Sequence, residues 1–290
     1  MFFSTLLFGL VLGGTYALVA LGLTLQYGIS RIMNLAYGDL LIAAAFLTML
    51  GFTSYSVLPP IAMLLIVPLG FVFSYLLYLF VLRPLVRRAE NRAALEIDSI
   101  LATFGLLFVM QGVMLLIFGG NIFGYSWLDN AVDLFGVRIA TNRLLALALA
   151  ILLALGLYLV VTRTRLGLAL QAVANRPESA PLVGINVEQV AAYAFALGGA
   201  MAAAGGVAFS MIQTFTATSG TALTLKALVI VIMGGVGNLP GALMAGFALG
   251  ITETFVAAFI DPGLTLAATY GIFLLVLLIR PNGLFGKAAG

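Results

Sequence analysis

Hydrophobic residues in this chain are gathered into long runs that short polar stretches separate. Each run is about 20 residues long, enough to cross roughly 30 Å of hydrocarbon as an α-helix, and a helix satisfies its own backbone groups in lipid. The short alternating segments that build a β-barrel are absent. The pattern predicts an all-α, polytopic helical bundle of eight or nine transmembrane segments, with uninterrupted spans at about Thr5–Tyr27, Leu58–Leu82, Ser99–Phe118, Leu144–Val161, Val190–Met211 and Leu264–Ile279.

Two further apolar regions are broken by polar residues and glycines. In Ser30–Leu41, the apolar run that follows is too short to span alone, which predicts an unwound piece around Asn34–Gly38 leading into a short helix. In Leu225–Phe255 the break falls at Gly234–Gly241, and Lys226–Gly237 either spans or re-enters. Irregular backbone at membrane depth survives only inside protein or beside a water-filled cavity. The alternative is a plain loop between short helices.

The two breaks share an Asn-Leu pair followed closely by glycine, which is consistent with an internal pseudo-repeat. Interrupted segments in corresponding halves of a transporter indicate its substrate path. Ionisable side chains at the bilayer centre cost roughly 2.5–3.5 kcal/mol each unless they are paired or hydrated. The candidate path residues are Asn34, Tyr37, Gly38, Asp39, Lys226, Gly234, Gly235, Asn238, Pro240 and Glu253.

Lys226 and Glu253 have two interpretations. They could help a zwitterionic solute to cross, or Lys226 could reach the interface along its aliphatic stem while Glu253 makes a structural hydrogen bond. Gln111 stands alone in an apolar run, so we expect it to bond to a neighbouring helix. Small residues at four-residue spacing predict close-packing helix faces at Gly9, Gly13 and Ala17, at Gly198, Ala202 and Gly206, and at Ala242, Gly246 and Gly250.

Arginines predict the orientation of the chain. The basic loop that begins at Arg83 is assigned to the cytoplasm by the positive-inside rule. Gly119–Asn142 has few arginines, so we expect it to lie outside. The C-terminal stretch Arg280–Lys287 favours a cytoplasmic end.

The other arginine-rich interruption is Arg163–Val187. Leu166–Ala174 favours a helix, and Asn175–Glu178 is typical of a turn followed by a helix start with proline in its first position. A short helix from Pro177 to Val183 would then stop at Gly184. The pattern predicts a stub helix, roughly parallel to the membrane, in a cytoplasmic loop. An ordinary interfacial loop is the alternative.

Composition narrows the functions open to the chain. With 63% hydrophobic and 8% charged residues, it is far from the soluble average. Its net charge of +3 comes from loop arginines and does not indicate nucleic-acid binding. The absence of cysteine and histidine removes thiol catalysis, imidazole bases and the usual zinc ligands. No phosphate-binding loop motif occurs, so we expect no ATP hydrolysis, no catalytic residue and no metal site in this chain.

Three long blocks resemble the integral-membrane permeases of branched-chain amino-acid ABC importers, specifically the shorter of their two permease types. The blocks are Gly13–Leu41, Arg163–Asn186 and Ile230–Glu253, and Arg280–Lys287 is similar to the family's ending. The resemblance covers nearly the whole chain. It implies a single permease domain at residues 1–290, with a cytoplasmic coupling loop at residues 163–188.

The resemblance implies a complex in the bacterial inner membrane. This chain and a second, longer permease subunit would form the translocation path, and a periplasmic binding protein would deliver leucine, isoleucine or valine. Two cytoplasmic ATPases would hold ATP and Mg²⁺, so no cofactor is expected here. Arg176–Gly184 would be the coupling helix that fits a groove on an ATPase. The implied coupling residues are Arg165, Gly167, Asn175, Arg176, Pro177, Glu178, Ala180, Leu182 and Gly184.

Two other classes of function stay open. Broken helices with intramembrane acids also suit an ion-coupled secondary transporter or a channel for a small polar or zwitterionic solute. The Arg163–Val187 loop argues against this class, because a transporter that needs no ATPase does not need a cytoplasmic segment for binding one. A membrane enzyme would need a nucleophile–base or metal constellation, for which this composition offers few residues.

Overall fold

The structure, a computed structural model, describes residues 2–89, 91–134 and 136–286. It is a helical bundle with one small β-hairpin. The helices are α1 (Phe2–Ser30), α2 (Tyr37–Tyr55), α3 (Pro59–Leu77), α4 (Arg83–Arg88), α5 (Arg92–Phe118), α6 (Thr141–Arg163), α7 (Arg165–Asn175), α8 (Val187–Ser210), α9 (Ser219–Gly234), α10 (Leu239–Phe259) and α11 (Thr265–Ile279), and the strands are β1 (Ala131–Leu134) and β2 (Val137–Ala140).

Within the described ranges, eight helices are long and apolar enough to cross a membrane, with Pro59–Arg88 counted as one. The 16-residue α9 is about 24 Å long at 1.5 Å per residue, short of the hydrocarbon thickness. The longer stretch that contains α9 still runs between the two sides of the bundle, because Phe215 before α9 pairs with Phe123 and Gly237 after it packs on Gly28 near the end of α1. The prediction of eight or nine crossings is confirmed.

Helices α1 and α8 form the centre of the bundle, and most of their residues are buried. Both are rich in glycine and alanine, which lets neighbouring backbones approach closely. α1 packs mainly against α10 and α8, and α8 also packs against α3 and α2. On the predicted α8 face, Gly198 lies against α1 and Gly206 against α2. α5 and α11 lie at the periphery and expose apolar side chains.

The small-residue faces predicted on the first span and on the helix after the second break pack against each other. Gly9 meets Ile251, and Ala17 meets Gly246. A Cβ on Gly250 would overlap the backbone N and Cα of Gly13. This α1–α10 contact is the most extensive between two helices among the described residues, which confirms the packing prediction.

The arginine-rich segment that begins at Arg83, after the Leu58–Leu82 span, was predicted as a loop, and that prediction was wrong. α3 continues through a π-helical turn, Tyr78–Leu82, into α4, and α5 already begins at Arg92, before the predicted Ser99. Arginine is a good helix former, so the helices continue past the apolar runs that set the predicted boundaries. The π turn packs with Ile32 and Phe195 in a second, smaller core.

The loop predicted to lie outside contains the hairpin of β1 and β2, which the sequence did not predict. The strands pair in antiparallel register, with Ala131 opposite Ala140. Aromatic rings join α2 and α5 to the loop that precedes the hairpin and to the loop that follows α8. We call this group the outer aromatic cluster; its members are Phe46, Phe118, Phe123 and Phe215.

Candidate translocation site and coupling segment

The first predicted break is a non-helical segment at residues 31–36. Asn34 holds it: its side-chain amide donates to Gln26 Oε1 at 3.1 Å, and its Oδ1 accepts from the Ala36 N–H at 3.1 Å. Thr103 on α5 accepts from the Leu35 N–H at 3.1 Å. Asn34 is only 3% exposed. Polar groups of the break are therefore paired inside protein, as non-helical backbone at membrane depth requires.

Tyr37 and Gly38 begin α2 deep inside the bundle. The Tyr37 hydroxyl donates to the Val19 carbonyl at 2.8 Å, and its side chain is fully buried. The Gly38 N–H donates to Thr224 Oγ1 at 2.8 Å. A Cβ on Gly38 would overlap the carbonyl oxygen of Gly220. The N-terminal ends of α2 and α9 thus touch backbone to backbone.

Asp39 has no exposed surface, and a side chain from α5 covers it. Gln111 Nε2 donates to Asp39 Oδ1 at 2.9 Å and to Thr221 Oγ1 at 2.7 Å. Among the described residues, Asp39 Oδ2 has no hydrogen-bond partner. Gln111 is half-buried and Thr221 is exposed. We call these three residues the carboxylate–amide cluster; it reaches the surface between α5 and α9.

The expected bond from Gln111 to a neighbouring helix is therefore present, but sequence reasoning missed Thr221. Thr221 belongs to the polar stretch Gln213–Thr224, whose composition is that of an ordinary loop outside the membrane. The shortness of the apolar run that follows was the signal that part of this stretch lies within the membrane.

Residues 211–218 form a second non-helical segment at membrane depth, between α8 and α9. Phe215 belongs to the outer aromatic cluster, whereas Gly220 touches Gly38. Gly38 lies eight residues from Phe46 along α2, about 12 Å at 1.5 Å per residue. The segment therefore descends into the bundle before α9 begins. Residues 211–218 before α9 thus correspond to residues 31–36 before α2, and the two segments enter the bundle from opposite sides of the membrane.

Lys226 on α9 and Glu253 on α10 form a buried ion pair, with Lys226 Nζ 2.9 Å from Oε1 and 3.0 Å from Oε2. The Tyr16 hydroxyl on α1 donates to Glu253 at 2.8 Å and accepts from Lys226 at 2.6 Å. Thr269 on α11 donates to Oε1 at 2.6 Å. Both carboxylate oxygens are satisfied and four helices meet. The geometry favours the structural interpretation of Glu253, whereas Lys226 bonds to Glu253 and Tyr16 instead of reaching the interface along its stem.

The predicted break at Gly234–Gly241 is a tight turn between α9 and α10. Gly235 and Gly237 adopt positive φ angles of 97° and 77°. Asn238 caps α10 by accepting from the Gly241 N–H at 3.0 Å, and it donates to the Phe285 carbonyl at 2.7 Å.

The turn lies apart from the carboxylate–amide cluster. Gly234 is fourteen residues from Gly220 along α9, about 21 Å at 1.5 Å per residue. The structure therefore does not bring Gly234, Gly235, Asn238 and Pro240 together with Asp39.

The predicted coupling loop at residues 163–188, called the coupling segment from here on, begins with α7. This confirms the helix expected there. Thr164 caps it by accepting from the Gly167 N–H at 3.0 Å. A Cβ on Gly167 would overlap the Val161 carbonyl oxygen, to which Gln171 Nε2 also donates at 2.9 Å. Asn175 ends α7, and its amide donates to the Gln171 carbonyl at 2.8 Å. α7 is thus held against the end of α6.

The stub helix predicted at Pro177–Val183 is shorter in the structure: a turn leads into a 3₁₀ helix, Ala180–Val183. Gly184 ends it with a φ of 78°. Leu182 and Val183 are 86% and 74% exposed. Among the predicted coupling residues, Gly167 and Ala180 are buried and Pro177 is half-buried, while the exposed ones are Arg165, Asn175, Arg176, Glu178, Leu182 and Gly184.

The far end of this segment is tied to α4. Glu188, in the first turn of α8, contacts Arg83, and Arg87 Nη2 lies 3.1 Å from its Oε2. Sequence reasoning treated these arginines only as orientation signals. Their pairing with Glu188 depends on the tertiary fold, and no local sequence motif predicts it.

Known proteins resemble this chain in sequence and in fold. Residues 5–280 match the family described as branched-chain amino acid transport system / permease component. The chain belongs to this family. The permease is 26% identical to the high-affinity branched-chain amino acid transport system permease protein LivH of Salmonella typhimurium, over 96% of this chain and 94% of the relative. It is 30% identical to the corresponding permease protein BraD of Pseudomonas aeruginosa, with the same coverage.

A solved structure also matches the permease. PsaBC from Streptococcus pneumoniae in complex with Fab aligns with a TM-score of 0.51 and 14% identity, covering 97% of this chain and 92% of that chain. At this identity the match shows a shared fold alone. The all-α, polytopic fold class and the family resemblance are therefore confirmed, whereas the roles of individual path and coupling residues stay predictions.

Proposed function

We propose that this permease is a membrane subunit of an ATP-binding-cassette importer for branched-chain amino acids in the bacterial inner membrane. It forms the translocation path with a second permease subunit, and a periplasmic binding protein delivers the amino acid. Two cytoplasmic ATPase subunits bind ATP and Mg²⁺ and supply the energy. Family membership supports this assignment, since its relatives are named as permease proteins of branched-chain amino acid transport systems.

The observation that carries the proposal is the shape of the coupling segment. Leu182 and Val183 project into solvent, while Ala180 beside them is buried. Exposed apolar side chains on a short rigid element are what a groove on a partner protein can bind. α7 is anchored on α6, and Glu188 is anchored on α4. A force on the 3₁₀ helix would therefore be transmitted through α7 to α6, and through Glu188 to α4.

Leu182→Glu is expected to reduce the amount of co-purified ATPase at least tenfold, because a charge would replace an apolar contact. The measurement is a pull-down in detergent, with ATPase activity assayed on the retained proteins. Glu178→Lys and Pro177→Gly in the preceding turn are expected to weaken retention as well. Ile122→Glu is the matched control: it is 74% exposed in the loop predicted to lie outside and should leave retention unchanged.

Undiminished ATPase retention by the Leu182→Glu variant would contradict this role of the segment. A well-folded preparation without any ATPase partner, whose uptake follows an ion gradient, would instead establish the secondary-transporter alternative.

A further inference from the structure

The carboxylate–amide cluster lies where two helices begin inside the bundle. α2 starts at Tyr37 after the break at residues 31–36, and α9 starts at Ser219 after the segment at residues 211–218. Gly38 and Gly220 bring these two N-terminal ends into contact. A helix N-terminus carries a partial positive charge that stabilises nearby anions. Asp39 lies at the contact of both ends, so the two helix N-termini offset part of the cost of burying its carboxylate.

Contacts of Gln111 show what this carboxylate can bind. The amide nitrogen of Gln111 has two hydrogens, and it uses both, on Asp39 Oδ1 at 2.9 Å and on Thr221 Oγ1 at 2.7 Å. A third acceptor, Asp39 Oδ2, is buried and has no partner within the described part of the chain. The nitrogen thus pairs with two acceptors, while the second oxygen of the same carboxylate stays unpaired beside them.

An ammonium group fits this position better than the amide does. It has three hydrogens and a positive charge, and hydrogen bonds to charged groups are stronger than neutral ones. A metal cation fits less well, because Mg²⁺ and Ca²⁺ take six or more oxygen ligands, and the cluster supplies three. A buried acceptor left unpaired is unfavourable, and an arriving ammonium group would remove that cost.

We propose that Asp39 and Thr221 bind the ammonium group of the amino acid in transit, and that Gln111 is a displaceable cover over this subsite. The inference rests on the proposed function and deepens it. Gln111 is half-buried and Thr221 is exposed at the α5–α9 surface, so displacing one flexible side chain uncovers Asp39. Residues 211–218 lead to the subsite from the outer side and are rich in hydroxyl groups, at Thr214, Thr216 and Thr218.

Asp39→Asn and Thr221→Val test the subsite in the complete complex, reconstituted in proteoliposomes with its binding protein. Both changes preserve side-chain shape. In Asp39→Asn, leucine uptake is expected to fall at least tenfold, while ATPase activity stimulated by the binding protein stays within twofold of wild type. In Thr221→Val, the KM for leucine is expected to rise several-fold with little change in kcat. Thr252→Val is the control, since among the described residues its hydroxyl bonds only to the Ala248 carbonyl of its own helix, at 2.8 Å.

Leucine uptake within twofold of wild type in Asp39→Asn would overturn the subsite. If Asp39→Asn fails to assemble, Thr221→Val decides: an unchanged KM for leucine overturns the inference. Sodium dependence of wild-type uptake that Asp39→Asn abolishes would also overturn it, because the cluster would then hold an inorganic cation. A wild-type complex that shows no ATP-dependent leucine uptake would refute the proposed function itself, whatever the variants do.

Discussion

Replacing Glu253 with leucine is expected to destabilise the permease by about 3–5 kcal/mol, because it leaves the Lys226 ammonium buried without its counter-ion. Lys226 would keep the Tyr16 hydroxyl, but Tyr16 and Thr269 would both lose their acceptor. The contacts that join α1, α9, α10 and α11 at this point would be lost together. With about 2.1 cal/mol/K of unfolding entropy per residue, the loss corresponds to a fall in Tm of about 5–8 °C, measured by thermal unfolding in detergent.

The double variant Glu253→Leu with Lys226→Met separates the ion pair from other effects. Replacing both partners of a buried pair by apolar residues is often nearly neutral, so the double variant should regain most of the lost Tm. An equally low Tm in the double variant would show that the pair is not the cause. Asp133→Asn, which removes the exposed partner of Arg138 in the hairpin, should leave Tm unchanged.

Lys226→Met alone tests the other interpretation of the pair. Glu253 would keep two hydrogen-bond donors but lose its counter-ion, so we expect a lower Tm and retained transport in the protein that assembles. Loss of leucine uptake in an assembled Lys226→Met complex would place Lys226 in the substrate path instead.

Gly250→Ala is expected to destabilise the contact between α1 and α10 by about 1–3 kcal/mol or more, since its Cβ has no space. The overlap is with backbone atoms of Gly13, which cannot rotate away as a side chain can. The two helices would have to separate along their most extensive contact. We expect a Tm several degrees lower and a smaller yield of assembled protein in size-exclusion chromatography.

Gly156→Ala is the matched control for this prediction. Gly156 lies within α6, and a Cβ there would meet nothing within 4 Å. Alanine in a helix is favoured over glycine by about 0.5–1 kcal/mol, so this variant should be as stable as wild type or slightly more so. Equal losses of Tm in both variants would show that close packing at Gly250 is not the reason.

Periodic apolar runs and small-residue spacing were enough to predict most spans and the α1–α10 interface. Gly13 and Gly250 were assigned to packing faces because glycine at four-residue spacing has one main use in membrane helices. The helix boundaries beyond the hydrocarbon were not predictable from hydropathy. Arg83 and Arg87 are polar enough for a loop yet form helix readily, and only their contact with Glu188 shows where α4 points.

The sequence allowed the candidate site residues to be chosen by their type, but it did not show which of them contact one another. Asp39, Lys226 and Glu253 stood out because charges are rare at membrane depth. Nothing in their spacing showed that Lys226 pairs with Glu253 whereas Asp39 bonds to Gln111. The match between the breaks at Asn34 and Asn238 was also misleading: the counterpart of the first break lies at residues 211–218, whose threonines resemble those of an ordinary outer loop.

The π-helical turn at Tyr78–Leu82 has a consequence for how relatives of this permease are aligned. A π turn accommodates one residue more than the α-helical repeat, and each residue turns an α-helix by about 100°. A homologue lacking one residue here would keep a helix of nearly the same length, and a sequence alignment would record a trivial gap. Its counterparts of Arg83 and Arg87 would nevertheless face a different direction, away from the position of Glu188. A single-residue gap within this span is therefore a marker of an altered link between α4 and the coupling segment.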